Sequence, residues 1–307
     1  MNIRKAPRAL FRYLTSQDYR FLINASLGKY DKLDDVAYLS RRFRASMHQK
    51  LDLSNPVTFN EKLQWLKLYD RRPEYTMMVD KYLVRDYIAN KLGEEYLIPL
   101  LGVWDDPDEI DFDSLPDRFV LKCNHNSGLG MCICKDKSTL NIKKVKADLR
   151  KGLKQDYYLT GREWPYKNVP RKIIAEKYME DNTLHELRDY KFFCFGGQVK
   201  CFKVDFDRFI EHHANYFDRD GNLLEFGEVV CPPVYDRKIE LPKTLNKMIE
   251  LAEKLSTSIP FLRVDFYDVN GKIYFGELTF FPASGLGEFI PQEWDLKLGE
   301  WIPLSII

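Results

Sequence analysis

FLRVDFYDVNGKIYFGELTFFPASGLGE, residues 261–288, is the stretch that decides the fold. Two strand-like runs, 261–267 and 272–280, flank Asp268-Val269-Asn270-Gly271, and this pattern reads as a β-hairpin. Its chemistry hangs on register. A two-residue turn at Asn270-Gly271 sends Asp265 and Glu277 to opposite faces, because side chains alternate with period two. A three-residue loop, Val269-Asn270-Gly271, with Gly271 left-handed in a bulge, reverses the parity. Arg263 then stands across from Glu277, and Arg263, Asp265, Glu277 and Thr279 share one face. Ionised groups on otherwise apolar strands (Phe261, Val264, Phe266, Ile273, Phe275, Leu278) are costly unless paired or metal-bound. A hard divalent cation such as Mg²⁺, held by a few carboxylates and completed by phosphate oxygens, gives the pattern a purpose. A solvated face carrying an Arg–Glu cross-strand pair is the competing reading.

Upstream of the hairpin, 241–255 is a helix and 215–233 reads as irregular. Residues 190–195 and 198–204 form a second hairpin around Gly196-Gly197, with Lys191 and Lys203 inside it, followed by Asp205-Phe206-Asp207. Residues 171–179, RKIIAEKYM, form a strand ending in Glu176-Lys177-Tyr178-Met179, and 140–158 is a solvated helix. Further back, 119–123 and 131–134 are two strands joined by a polar loop with Ser127, Gly128 and Gly130. Lys122 alternates with Val120 on a strand face, where a lysine wants an anion. The glycine loop can bring backbone N–H groups close to a phosphate. It is not a Walker P-loop, lacking GxxxxGK[ST], and not a Rossmann fingerprint, since Ile133 stands where a third glycine is required. A plain glycine hairpin with a snorkelling lysine is the alternative.

Residues 56–69 open a helix with a capping-box pattern at Thr58 and Glu61 and apolar spacing at Phe59, Leu63 and Leu66. A second helix over 80–92 ends at Gly93. Lys81 sits at its start, unfavourably unless an anion lies opposite. Residues 1–44 read as helical and irregular, basic at Arg4, Lys5, Arg8, Arg12, Arg41, Arg42 and Arg44, with a weak apolar stripe of Leu10, Phe11 and Leu14. Such an arm suits an anionic membrane surface. The preferred reading is a helix packed on the main body with its charges in water.

The 307 residues, 45% apolar, suit one large or two modest globular domains. Lys plus Arg (47) nearly balances Asp plus Glu (46), so no global field recruits nucleic acid or membrane. No signal-peptide pattern follows the basic start, and no run approaches the roughly 18 apolar residues of a membrane-spanning helix. The six cysteines are scattered without a CxxC pair and read as reduced. The expected setting is cytoplasmic, at the inner face of the membrane if the basic arm is used. Because hairpins pair antiparallel, the fold class is α+β.

Two lysines (Lys81, Lys122) ahead of a glycine loop, a Glu-Lys strand end and an acidic hairpin with an arginine match the needs of a triphosphate. The order of TFNEKLQWLKLYD, DKYLVRDYI, FVLKCNHNSG, KIIAEKYM, DYKFFCFGGQVK and RVDFYDVNGKIYFGELTFFPASG resembles the TupA-like branch of the ATP-grasp superfamily. The resemblance implies an ATP-grasp fold in which two antiparallel α+β subdomains clamp the nucleotide. A helical segment (1–55) precedes a catalytic domain (56–307), whose smaller subdomain covers about 115–178 and whose C-terminal subdomain covers about 179–307. It further implies that Lys81 and Lys122 contact phosphate and that Ser127, Gly128 and Gly130 close over it. Glu176, Lys177 and Met179 form the adenine hinge. Asp265 and Glu277 hold Mg²⁺, with Thr279 where many relatives carry Asn, and Arg263 steadies the acyl centre. Asp189 and Asp181 are the candidate ribose acids.

The implied cofactors are ATP and Mg²⁺, and the implied reaction is carboxylate–amine ligation through an acylphosphate. An amino acid would be joined to a uronic acid carboxyl in a capsular or other surface polysaccharide. Backbone N–H groups near Ser284-Gly285 would join Arg263 at the oxyanion. His125 is a further candidate phosphate contact, and His212-His213 a candidate acceptor pair, with surface or core histidines the blander account. Two rivals remain. Asp205-Phe206-Asp207 fits the DxD pattern of a glycosyltransferase, as Asp111-Phe112-Asp113 and Asp218-Arg219-Asp220 do equally. A non-catalytic ATP-binding scaffold of a glycan-assembly complex, docked through the basic arm, is the other.

Overall fold

The computed structural model describes residues 6–181, 187–207 and 210–304. Three helices come first: α1 (Ala6–Thr15), α2 (Gln17–Ser26) and α3 (Asp35–Met47). α2 and α3 form a small core around Phe21, Tyr38, Leu39 and Phe43. α1 is the exception to the expectation of a packed arm. Its Tyr13 hydroxyl reaches Asn24 at 3.0 Å, while Leu10, Phe11 and Leu14 stay exposed.

α4 (Phe59–Tyr69) begins at the capping box read from sequence, with Thr58 and Glu61 bonded reciprocally. α5 (Glu74–Val79) and α6 (Val84–Lys91) follow. The helix expected over 80–92 starts four residues late. The Asp80 Oδ1 accepts from the backbone N–H groups of Tyr82 and Leu83, holding 80–83 as a turn.

The first sheet has four strands: β1 (Leu100–Trp104), β2 (Phe119–Cys123), β3 (Met131–Cys134) and β4 (Ile173–Lys177), in the order β1-β4-β2-β3. All its pairings are antiparallel. α7 (Ile142–Lys154) covers β2 and β3, and α8 (Tyr157–Gly161) leads back toward β4.

The second sheet is built from β5 (Asp189–Phe195), β6 (Gln198–Phe206), β7 (His213–Asp218), β8 (Leu223–Leu224), β10 (Phe261–Val269) and β11 (Lys272–Thr279), in the order β11-β10-β5-β6-β7-β8. β7 falls in the stretch read as irregular. It shows no polar–apolar alternation because its four central residues, 214–217, are all buried, on both faces of the strand. β9 (Gly227–Glu228) and β12 (Phe289–Ile290) pair separately. α9 (Leu245–Ser256) packs on the outer face of the sheet, where Phe192, Cys194, Leu262, Val264 and Phe266 bury their side chains. α10 (Glu293–Glu300) packs on α4.

The hairpin β10–β11 corrects the register expected from sequence. Its turn has two residues, Asn270 and Gly271, both left-handed, closing the pair Val269–Lys272. The parity change occurs instead at Gly276, an extra residue bulged between the pairs Phe266–Phe275 and Asp265–Glu277. A Cβ at Gly276 would lie 3.0 Å from the Asp265 carbonyl oxygen, so a glycine suits the bulge. Arg263 therefore stands opposite Thr279, not Glu277, and Asp265 opposite Glu277. The shared face is as expected; its cause is not.

Candidate functional site

The basic half of the site hangs on β2 and β4. Val120 pairs with Glu176, so Lys122, two residues on, is the diagonal neighbour on the same face. Lys122 Nζ lies 2.6 Å from Glu176 Oε2. Arg85 of α6 takes the other oxygen at 3.3 Å and donates to the Ile98 carbonyl at 2.9 Å. Lys81 enters from the turn before α6. Its N–H donates to the Asn124 carbonyl at 3.1 Å and its Nζ to the Asn126 carbonyl at 2.6 Å. Asn124 in turn donates to Asp80 at 2.8 Å, tying the turn to the end of β2. Burial pushes the Lys81 ammonium below its ordinary pKa; Glu277 and Glu176 oppose the shift, and Lys122 adds to it.

The acidic half is the inner face of the second sheet. Strand register sets Glu277, Asp265, Lys191, Lys203 and Tyr216 in one row across β11, β10, β5, β6 and β7. Arg263 grips Asp265 with both nitrogens, Nε at 2.7 Å and Nη2 at 2.6 Å, and reaches Glu277 Oε1 at 2.8 Å. Thr279 donates to the same Glu277 oxygen at 3.2 Å. Burial lifts Asp265 to about 6 against the pull of Arg263, and the Glu277 charge adds to the rise. Glu277 goes the other way: burial alone would raise it, but Arg263, Lys81 and Lys191 together hold it below its ordinary range.

The two halves meet. Lys81, Arg85, Lys122, Tyr166, Glu176 and Glu277 line one pocket between the sheets. That convergence puts cations on one wall and the Glu277 carboxylate on the other, with Asp265 next to Glu277 across the strands.

Among the described residues, no cluster of three or more His, Cys, Asp or Glu side chains gathers to cage a metal. Mg²⁺ needs less: one or two carboxylates, with phosphate oxygens and water completing its shell. Arg263 occupies one side of each Asp265 oxygen, and a carboxylate has about four lone-pair sites. Among the described residues Glu277 Oε2 accepts no hydrogen bond, and the Thr279 hydroxyl lies at Glu277 Oε1. Hard oxygen donors in this number fit the ion.

Several expected residues lie elsewhere or serve other contacts. The Glu176 carboxylate is spent on Lys122 and Arg85 rather than directed at an adenine. The Lys177 N–H donates to the Pro99 carbonyl at 2.9 Å, and Met179 lies half-buried just beyond β4. Gly130 does not stand free in the loop: a Cβ there would meet Cys123 Sγ at 2.8 Å and the Gly152 Cα at 3.0 Å. Ser127 and Gly128 alone form an exposed tip, and a Cβ at Gly128 would meet nothing within 4 Å. His125 is buried and bonded to the Gln155 carbonyl at 3.2 Å, so it is a strut and not a phosphate contact. Asp189 lies 3.2 Å from Lys191 on the inner face, while Asp181 accepts the Asn270 N–H at the hairpin turn. Asp205 is buried against Lys191, with His212 Nε2 at 3.3 Å, and Asp207 faces Arg237 at 3.8 Å. The first aspartate of that DxD is thus closed to a nucleotide sugar.

Sequence reading missed Arg85, Tyr166 and Lys191 as site residues. Lys191 carried a signal: two lysines opposite one another within an apolar hairpin. It also missed a helix face. Asn60, Gln64 and Lys67 of α4 are all buried, and their donors go to the segment after β11. Asn60 Nδ2 donates to the Gly287 carbonyl at 2.8 Å, and Gln64 Nε2 to the Ser284 and Gly285 carbonyls at 3.1 and 2.6 Å. Lys67 Nζ donates to the carbonyls of Gly161 and Ser284, both at 2.8 Å, and to Ser284 Oγ at 3.0 Å. Burial drives the Lys67 pKa down to about 7, with nearby Glu163 resisting and Arg42 reinforcing.

A profile described as TupA-like ATPgrasp matches residues 61–303. No curated protein sequence matches the chain. Among solved structures, the D-alanine–D-alanine ligase from Helicobacter pylori is 14% identical, with 80% of this chain and 69% of that one covered and a TM-score of 0.43. The D-alanine–D-alanine ligase from Bacillus anthracis complexed with ATP is 17% identical, covering 74% and 65%, with a TM-score of 0.43. A RimK domain ATP-grasp protein from Sphaerobacter thermophilus is 10% identical, covering 74% and 69%, with a TM-score of 0.41.

Proposed function

The chain belongs to the TupA-like ATP-grasp family, and from that premise we propose that it is an ATP-dependent, ADP-forming carboxylate–amine ligase. The observation that carries this reading is the shared pocket: Lys81, Lys122 and Glu277 line it together, although nearly two hundred residues separate the first from the last.

In this reading Lys81 and Lys122 neutralise the phosphoryl oxygens of ATP, and the Ser127–Gly128 tip lies over them. The backbone around Lys177 and Met179 receives the adenine, and Asp189 is the candidate for the ribose. Asp265 and Glu277, with Thr279 beside them, would hold Mg²⁺, which neutralises charge on the transferred phosphoryl group. A substrate carboxylate oxygen attacks the γ-phosphorus, the bond to the β-phosphate oxygen breaks and ADP leaves. An amine then attacks the acylphosphate carbonyl carbon, and inorganic phosphate and a proton depart as the amide forms. Most of the protein's contribution is positioning and charge neutralisation. Arg263, its charge kept by Asp265 and Glu277, faces the carbonyl oxygen as it becomes an oxyanion.

For the substrates, the proposal is a uronic acid carboxyl in a surface polysaccharide and an amino-acid amine, and it rests on the resemblance to the TupA-like branch alone. An ADP-release screen of uronic acids against amino acids with Mg-ATP tests this reading. ADP formation that needs both an acid and an amine supports it. ATP binding with no ADP release from any pair would replace it with a non-catalytic nucleotide binder, and UDP-sugar binding that displaces ATP would replace it with a glycosyltransferase.

A further inference from the structure

Among the described residues nothing covers one face of the first helix. Leu10, Phe11 and Leu14 are 61%, 66% and 66% exposed. At about 100° per residue these three positions fall within a single arc of roughly 100°. None of them belongs to the core formed by α2 and α3. α1 holds to the body by its other side. Tyr13 bonds to Asn24, and Arg20 donates to the carbonyls of Tyr13 and Leu14 at 3.0 and 3.1 Å. Arg12 lies over the Tyr19 ring at 4.5 Å.

The charge along this arm has one sign. Arg4, Lys5, Arg8 and Arg12 precede the first acid, Asp18, in a chain whose total charge is nearly balanced. An isolated convex helix with three large apolar side chains in water and a purely basic sequence has two requirements. It needs an apolar medium only a few ångströms deep and anions beside it. A bilayer surface with anionic headgroups meets both. A protein partner would have to supply a groove and an acidic rim together.

We propose that α1 is a membrane-surface anchor: it lies in the headgroup layer of an anionic bilayer with Leu10, Phe11 and Leu14 inserted, and anionic headgroups balance the basic sequence of the arm. Among the described residues no helix is long and apolar enough to cross a membrane, so the attachment is peripheral. One apolar stripe with one basic cluster gives reversible binding that high salt weakens. The proposal does not depend on the ligase reading.

Sedimentation of the full chain with lipid vesicles tests it. The wild-type chain is expected to pellet with phosphatidylcholine–phosphatidylglycerol vesicles, to stay in solution with phosphatidylcholine alone, and to be released by high salt. The double variant Phe11→Glu/Leu14→Glu is expected to lose binding by about tenfold or more, with unchanged circular dichroism, melting temperature and ATP affinity. These residues touch neither the core nor the pocket, so the variant is expected to fold. Wild-type protein that stays in solution with anionic vesicles overturns the proposal, as does a double variant that pellets as well as wild type. A dimer seen by light scattering without vesicles, and abolished by the double substitution, also overturns it, by assigning the stripe to a second copy of the chain.

Discussion

Two turns border the site, and they are held in opposite ways. The loop after β2, which carries Lys122, is pinned at its base: Asn124 and Asn126 spend their side chains on Asp80, Pro170, Gly152 and Gln155. Its tip, Ser127–Gly128, is exposed, with open space where a Cβ would sit. The turn after β11, which carries Glu277 and Thr279, runs through three successive left-handed residues, Ala283, Ser284 and Gly285, with φ of 47°, 56° and 60°. Two of these are not glycine, and each such residue costs about 1–2 kcal/mol. The cost is met because Gln64 and Lys67 of α4 seize the carbonyls of Ser284 and Gly285. A trans peptide places its C=O and the following N–H on opposite sides. Drawing the Ser284 carbonyl toward α4 therefore turns the Gly285 N–H away from it. One turn has an exposed tip with open space around it; the other is held by a helix more than two hundred residues earlier.

The contrast is open to measurement. Lys67→Met removes the donor to four acceptors and should cost about 2–4 kcal/mol in chemical denaturation; a loss within error of zero would mean that α4 does not hold the turn. Gly285→Ala would put a Cβ 2.5 Å from Gln64 Nε2 and 2.9 Å from Leu63 Cβ at positive φ. The expected loss is about 2–3 kcal/mol, read from the same denaturation curves.

Lys67 also makes a pH signature. With its folded pKa near 7 and an unfolded value near 10.4, the unfolded chain binds more protons between these limits. Stability contributed by this group therefore rises with pH above 7, by at most about 1.4 kcal/mol per pH unit. Melting temperatures of wild type should climb relative to Lys67→Met between neutral and mildly alkaline pH. Parallel curves would show that the ammonium is not depressed. Glu163, raised by burial, works in the opposite sense but is present in both proteins.

The smallest effect belongs to the free tip. Gly128→Ala meets no atom and bears only the left-handed penalty, about 1 kcal/mol. Amide exchange should be fast at 127–129 and slow at 283–287. Equal costs for Gly128→Ala and Gly285→Ala, or equal exchange, would erase the distinction between the turns.

Much of the fold was readable where a local rule acts alone. The capping box at Thr58–Glu61, the strands 119–123 and 131–134 and the Gly196-Gly197 hairpin are cases where side-chain chemistry within a few residues decides the geometry. The polar face of α4 was not readable. Asn60, Gln64 and Lys67 look like a solvated stripe, and only the carbonyls of Gly161 and of 284–287 make their burial tolerable. Arg85 was hidden for the same reason: its partner Glu176 is ninety-one residues away. The hairpin shows both sides. Asn270-Gly271 did make a turn, but the residue that brings Asp265 opposite Glu277 is Gly276, whose bulge depends on the close approach of β10.

From the order of its residues alone, the chain determined that it is α+β, that a glycine loop follows one lysine strand, and that an acidic hairpin with an arginine lies near its end. Local propensity, alternation and turn chemistry act over a few residues, so they are written in the sequence. The tertiary structure decided that Lys81 and Lys122 face Glu277 across one pocket, that His125 and Asp205 are buried away from it, and that α4 turns its polar side inward. Those outcomes rest on burial and on hydrogen bonds between distant segments, and such partners exist only once the sheets have closed on one another.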